Sequence, residues 1–245
     1  MQLGRPSPIH SGDGMDQGRH KNKKLEAAPG TAFIWEVAMR AILVVNAKGG
    51  CGKTTISTNI AAYYAGRGRR TLLADYDVQQ SSMDWLAVRP DWREPILGWS
   101  ARDERVLRLP GDLEVLVMDS PARVEGRGLT DLVRRADRII VPVLPSPIDI
   151  RAAANFIGNL LMQGRLRGER ERVAVVANRV RENTLLYMKL RKFLKSLQIP
   201  FVATLRDSQN YVRAADEGVG IFELPANSAD KDLEQWRPLL RWLGQ

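Results

Sequence analysis

Eight consecutive residues, Lys48-Gly49-Gly50-Cys51-Gly52-Lys53-Thr54-Thr55, carry the most legible chemistry in this chain. Glycines at 49, 50 and 52 let the backbone turn tightly enough for successive amide N–H groups to converge on one anion. Lys53 stands directly before a hydroxyl residue, the place from which a lysine reaches the β- and γ-phosphates of a nucleotide. The Thr54 hydroxyl is placed to ligate Mg2+. Gly49, Gly50, Cys51, Gly52, Lys53, Thr54 and Thr55 are therefore candidate nucleotide-binding residues. The spacing G-x-x-x-x-G-K-[ST] fails because position 47 is Ala47. The pattern present is K-G-G-x-G-K-[ST], which puts an extra cation, Lys48, at the mouth of the loop.

Such a loop needs a strand behind it and a helix ahead. Ala41-Ile42-Leu43-Val44-Val45 is a short apolar run of the buried parallel-strand type. Ile56, Ile60, Tyr63 and Tyr64 recur at helical spacing, and Gly66 and Gly68 end the helix. The loop then sits at a helix N-terminus, where the dipole favours an anion.

Two further segments supply carboxylates. Thr71-Leu72-Leu73-Ala74 reads as a strand running into Asp75-Tyr76-Asp77. Carboxylates at i and i+2 on a strand end point the same way. Asp77 is the candidate for holding the attacking water near Mg2+, and Asp75 for fixing local geometry. Leu113 to Asp119 is a strand ending in an aspartate, the Walker B arrangement, so Asp119 joins Thr54 as a candidate metal-site residue. Arg138 to Val143 and Arg172 to Ala177 read as further strands, the latter ending in Asn178-Arg179, where an asparagine can contact an adenine edge. Strands alternating with helices predict an α/β fold of the P-loop NTPase class, a mostly parallel twisted sheet with helices on both faces. Ligands bind at the carboxyl edge of such a sheet.

Bulk properties narrow the class. The chain has 245 residues, enough for a substantial core, with 44% hydrophobic and 27% charged residues. No apolar run is long enough for a transmembrane segment, and the N-terminus lacks the apolar stretch of a secretory signal. The one cysteine, Cys51, excludes an internal disulfide and fits a reducing, cytoplasmic setting. Residues 1–38 are rich in Gly, Pro, Ser, His and Lys without a sustained period and read as a disordered extension, with Met39 as a natural start for a single domain over 39–245. Both histidines, His10 and His20, lie in that extension, so the folded part has no histidine base or ligand.

Taken together, the loop, Asp77, Asp119 and Asn178 resemble the ParA/MinD family of deviant-Walker P-loop ATPases, over roughly Met39 to Leu243. The resemblance implies an ATP- and Mg2+-dependent ATPase with catalytic residues Lys48, Lys53 and Asp77. Lys48 would be the family's signature lysine, reaching the nucleotide of a partner subunit, with ATP as glue in a sandwich homodimer. Asp77 matches the hydrolysis aspartate, Asp119 the Walker B aspartate and Asn178 the adenine-contacting position. Val78 and Ala122 stand where the family usually has proline, which bears on hydrolysis rate rather than binding. A ParB-like activator is the implied protein partner, and a plasmid, chromosome or protein assembly the implied cargo.

Net charge is +9, and it is concentrated: Arg165 to Arg213 holds twelve Lys/Arg against four Asp/Glu. Such a stretch suits an anionic polymer or surface. Leu186, Leu190, Phe193, Leu194 and Leu197 form a helical stripe, with Arg191, Lys192 and Lys195 opposite and Lys189 flanking. Arg206 and Arg213 follow, in a loop and at a helix start. By resemblance to ParA-type members, Lys189, Arg191, Lys192, Lys195, Arg206 and Arg213 are expected to bind DNA nonspecifically, giving a nucleoid-associated protein. The alternative is MinD-like membrane association through the last segment. Asp232 to Gln245 carries no net charge, however, and reads better as a helix docking on the core.

Overall fold

Seven strands and seven α-helices make up the described part of the computed structural model, residues 39–103, 107–163, 166 and 168–244. The expected extension over 1–38 lies outside the described residues. In chain order the elements are β1 (Arg40–Val44), α1 (Lys53–Ala65), β2 (Thr71–Asp75), α2 (Ser81–Ala87), β3 (Leu97–Ser100), β4 (Val115–Asp119) and α3 (Gly126–Arg135). There follow β5 (Arg138–Val143), α4 (Pro147–Gln163), β6 (Val173–Val180), α5 (Leu185–Ser196), β7 (Phe201–Arg206), α6 (Gln209–Asp216) and α7 (Asp230–Leu243).

The strands form one seven-stranded sheet in the order β3-β2-β4-β1-β5-β6-β7, parallel at every pairing. The core strands are buried on both faces, which is why they read as unbroken apolar runs. In β1, Ala41 and Leu43 enter one core with α3, α4 and α5, whereas Ile42 and Val44 enter the other with α1, α2, α6 and α7. The expected α/β architecture, with helices on both faces, is the one observed. Chain order departs to opposite sides of β1, through β4 and β2 one way and β5 and β6 the other. The crevice outside the carboxyl end of β1 is therefore the topological switch point where ligands bind.

Several expectations need correction. β3 and β7 were not foreseen. β3 is four residues with an internal glycine, and β7 is an edge strand only alternately buried, so neither shows the long apolar run of the central strands. Arg206 accordingly ends a strand rather than lying in a loop, and Arg213 lies in the last turn of α6 rather than at a helix start. β6 does not stop at Ala177 but continues past Asn178 to Val180, bulging against β7 with Arg179 at φ 50°. On α5, Leu190 and Leu194 are fully buried, while Leu186 is exposed because it sits in the first turn, beyond the edge of the sheet's cover.

α7 docks on the core as expected. Trp236, Leu239 and Leu243 are fully buried, and the Trp236 indole N–H donates to the Tyr211 hydroxyl at 3.0 Å. Phe222 packs edge-on against the same indole. Trp236→Ala should cost about 3–5 kcal/mol, measured by urea denaturation; a loss below about 1 kcal/mol would show that α7 is peripheral to the fold.

Candidate nucleotide and metal site

The loop between β1 and α1 is shaped by two left-handed glycines, Gly50 at φ 75° and Gly52 at φ 93°. Gly52 is also forced by crowding: a Cβ there would lie 2.1 Å from Nδ2 of Asn178. α1 starts with no side-chain cap and no acidic residue in its first turn. Its positive end is therefore unquenched, the condition for binding an anion. The loop is anchored from below by Asn46, which donates to the Pro142 carbonyl at 2.7 Å and accepts from the Lys48 amide at 3.1 Å. Cys51 is packed inside, its Sγ 3.2 Å from the Lys48 carbonyl. Burial pushes its thiol above the ordinary value, outweighing the opposing pull of Lys53, so it is an inert packing group.

The two lysines have different surroundings. Lys53 is buried, only 7% exposed. The Lys48 side chain is 38% exposed at the mouth, 3.0 Å from a carboxylate oxygen of Asp149.

Asp119 is the electrostatic centre. It ends β4, in register with Val44 of β1 and Asp75 of β2. Thr54 and Ser82 donate their hydroxyls to its Oδ2 at 2.7 and 2.8 Å, and Ser57 donates to Oδ1 at 3.3 Å. Burial, helped by the neighbouring Asp75 charge, raises its pKa to about 6, with the Thr54 and Ser82 hydroxyls and Lys53 opposing. Thr54 Oγ1 and this carboxylate present only hard oxygens, and among the described residues no cluster of His, Cys, Asp and Glu forms a protein cage. That donor set fits Mg2+, which is held by few protein oxygens with phosphate and water completing its shell.

Asp75 and Asp77 do not point the same way. β2 ends at Asp75, and the Asp77 amide turns back to donate to Asp75 Oδ1 at 2.9 Å, so strand alternation no longer applies. Asp75 faces inward, accepts from the Ser82 amide at 2.9 Å and fixes the start of α2, as expected of it. Asp77 faces outward and accepts from the Ala122 amide at 3.1 Å and the Gln79 amide at 3.0 Å. It thereby ties the loop after β2 to the loop after β4.

Asn178 is brought to the site in a role its position did not suggest. Its Nδ2 donates to the Cys51 carbonyl at 2.8 Å, bracing the phosphate loop from β6. Ser57, Ser82 and Asp149 were missed. Isolated serines carry no signal in a sequence; Asp149 does, in the Ser146-Pro147-Ile148-Asp149 pattern of a helix start.

The expected DNA-binding set splits. Lys189, Arg191, Lys192 and Lys195 are exposed on α5 and make no ion pair within the described residues. Arg206 is withdrawn from it: its guanidinium grips both oxygens of fully buried Asp232, at 2.6 and 3.0 Å. Burial pushes the Asp232 carboxyl up, but Arg206 and Asn210 outweigh this and hold it below the usual range. Arg213 pairs with Glu217 at 2.8 Å, which offsets its charge.

A carboxyl raised on folding contributes stability that is full below its unfolded value of 3.8 and is lost as pH rises through about 6. Nucleotide-free Asp119→Asn should therefore be more stable than wild type near neutral pH, by up to about 3 kcal/mol, with the gain vanishing toward about pH 4. Thermal melts across that range check it, and a variant weaker than wild type at neutral pH contradicts the assignment of a buried, uncompensated charge.

Residues 42–221 match the CobQ/CobB/MinD/ParA nucleotide binding domain. Maintenance of carboxysome distribution protein A of Halothiobacillus neapolitanus is 32% identical over 203 residues, 79% of this chain and 93% of that protein. Septum site-determining protein MinD of Bacillus subtilis is 24% identical over 230 residues, 77% of this chain and 84% of that protein. A solved ATP complex of McdA from Cyanothece shares the fold, with a TM-score of 0.64 at 15% identity over 84% of this chain and 96% of that one. A glycine loop on the central strand, a buried Walker B carboxylate on its neighbour and these matches lead to one assignment: the chain belongs to the ParA/MinD family of P-loop ATPases.

Proposed function

We propose that this chain is an ATP-hydrolysing positioning protein that works as an ATP-sandwich homodimer on DNA. The observation that carries the reading is the contrast between its two loop lysines. Lys53 is buried where it serves the protein's own triphosphate, so Lys48, exposed at the mouth, is surplus to that site. Two nucleotide faces carrying triphosphates repel unless cations bridge them, and an isologous pair supplies one Lys48 in each direction.

The glycine loop and α1 bind the phosphates, with Lys53 on the β- and γ-oxygens and Asn178 beside the base. Thr54 and Asp119 would hold Mg2+, and the bound ion would supply positive charge to offset the negative charge developing on the transferred phosphoryl group. Asp77 orients the attacking water. Because its carboxylate also fastens the loop after β4, hydrolysis loosens both loops together and releases the dimer. A ParB-like activator accelerates that step.

α5 supplies the DNA contact, through Lys189, Arg191, Lys192 and Lys195, with Arg213 at the margin. Doubling such a patch by dimerisation makes phosphate neutralisation ATP-dependent and places the protein on the nucleoid in the cytoplasm. The relatives named for carboxysome distribution favour a protein assembly as cargo over a plasmid. Membrane attachment through the C-terminus is disfavoured, since α7 spends its apolar residues on the core and no helix among the described residues is long and apolar enough to cross a membrane.

Lys48→Ala should abolish ATP-dependent dimerisation in sedimentation velocity; an unchanged dimer sinks the sandwich. Alanine at Lys189, Arg191, Lys192 and Lys195 should remove DNA binding while the ATP dimer persists. For wild type, log affinity should fall with log salt at about 0.9 per phosphate contacted. Capture by anionic vesicles without DNA binding would favour the membrane reading instead.

A further inference from the structure

β3 is the outermost strand on its side of the sheet, and its far edge pairs with no other strand among the described residues. Its register sets Ser100 opposite Asp75, and the Ala101 amide donates to the Asp75 carbonyl at 2.9 Å. In a parallel ladder alternate residues bond to the neighbouring strand, so Gly98 and Ser100 turn their amides and carbonyls outward. The Ser100 carbonyl accepts from the Asp103 amide at 3.2 Å. Gly98 is exposed, with both main-chain groups still to be paired.

A groove of about 590 Å3 lies between this edge and α2 with the loop that follows it. Met83, Leu86 and Ile96 give it an apolar floor, each only partly buried against the core. Two of the residues lining it carry buried donors with no hydrogen-bond partner, the Trp99 indole N–H and the Arg93 Nε–H. Trp99 is only 8% exposed. Arg93 donates from Nη2 to the Glu223 carbonyl at 2.6 Å but has no carboxylate partner among the described residues. Of the other charges around the groove, Arg89 is paired with Glu223, Asp103 accepts from Gln80, and Asp91 stands exposed on the rim.

From these unmet groups we propose that the β3 edge docks an extended segment of a partner protein, added to the sheet as an eighth strand. Main-chain bonds to Gly98 give affinity, and the groove selects the side chains. A carbonyl of the segment meets the indole N–H, an apolar side chain covers Met83, Leu86 and Ile96, and a carboxylate meets Arg93. A helical partner cannot pair with Gly98, because its own amides and carbonyls are bonded internally. A stable interface between two folded copies buries more than about 1,000 Å2, beyond what a four-residue edge offers.

The test uses the full-length chain and fluorescence anisotropy. The probe is a fluorescein-labelled decapeptide alternating valine and threonine, with glutamate at each end. It should bind, and replacing both glutamates by lysine should weaken it at least about tenfold, as should Arg93→Gln against the original peptide. Two further peptides carry N-methyl groups on either the valine or the threonine amides. Only one set of amides faces β3 in an added strand, so one of these peptides should lose binding and the other keep it. Lys48→Ala should alter none of this, which separates the proposal from the sandwich reading. Equal binding of both methylated peptides, or no binding of the original at millimolar concentration, overturns it. So does self-association of the nucleotide-free chain that the peptide cannot displace, which would give the edge to a second copy.

Discussion

The structure turns on a charge buried with too few partners. Asp119 ends a central strand with its carboxylate out of water, satisfied by hydroxyls from Thr54 and Ser57 on α1 and Ser82 on α2. Hydroxyls donate to a carboxylate but do not neutralise it, which is why burial still wins and lifts the group to about 6. A cation placed among those oxygens would resolve the conflict. The same contacts fasten the phosphate loop's helix to the helix after β2, so the site's most strained charge is also its mechanical junction. Binding energy at that point is shared by both elements.

Around this centre the protein separates cations by burial. Lys53 is inside, Lys48 at the lip, and Arg206 is used up by Asp232. Counting charge along the chain does not make these distinctions. The +9 total and the basic stretch at 165–213 treat Arg206 and Lys192 alike, whereas one is half of a buried network and the other is in solvent. A basic stretch becomes a binding surface only after its internal pairs are subtracted, and on α5 four residues survive.

The parts legible in the sequence were those fixed by local covalent and steric rules. Glycine at φ 93°, a lysine before a threonine, and strands ending in aspartate are one-dimensional patterns, and they located the loop, Asp119 and the parallel sheet. Arrangements created by packing across the fold were not legible. Asn178 reaching under Cys51 depends on β6 lying two strands from β1, and Ser82 on Asp119 depends on where α2 starts. The error over Asp75 and Asp77 has the same origin. Strand alternation was applied two residues past the strand, where a side chain had already captured the backbone amide and turned it.

That turn also explains why the two aspartates divide their labour. Asp75 is held inside by the Ser82 amide and is pushed upward in pKa by burial, so it suits a fixed structural acceptor. Asp77 is half-buried, takes its partners from two loops, and is in reach of water. Each Asp77 oxygen takes one amide, from Gln79 and from Ala122, and so keeps a lone pair for a further donor such as water. A change in the charge or position of Asp77 therefore acts on the contacts that hold the two loops together. The geometry couples loop order to the state of one carboxylate, with no need for a longer route through the protein.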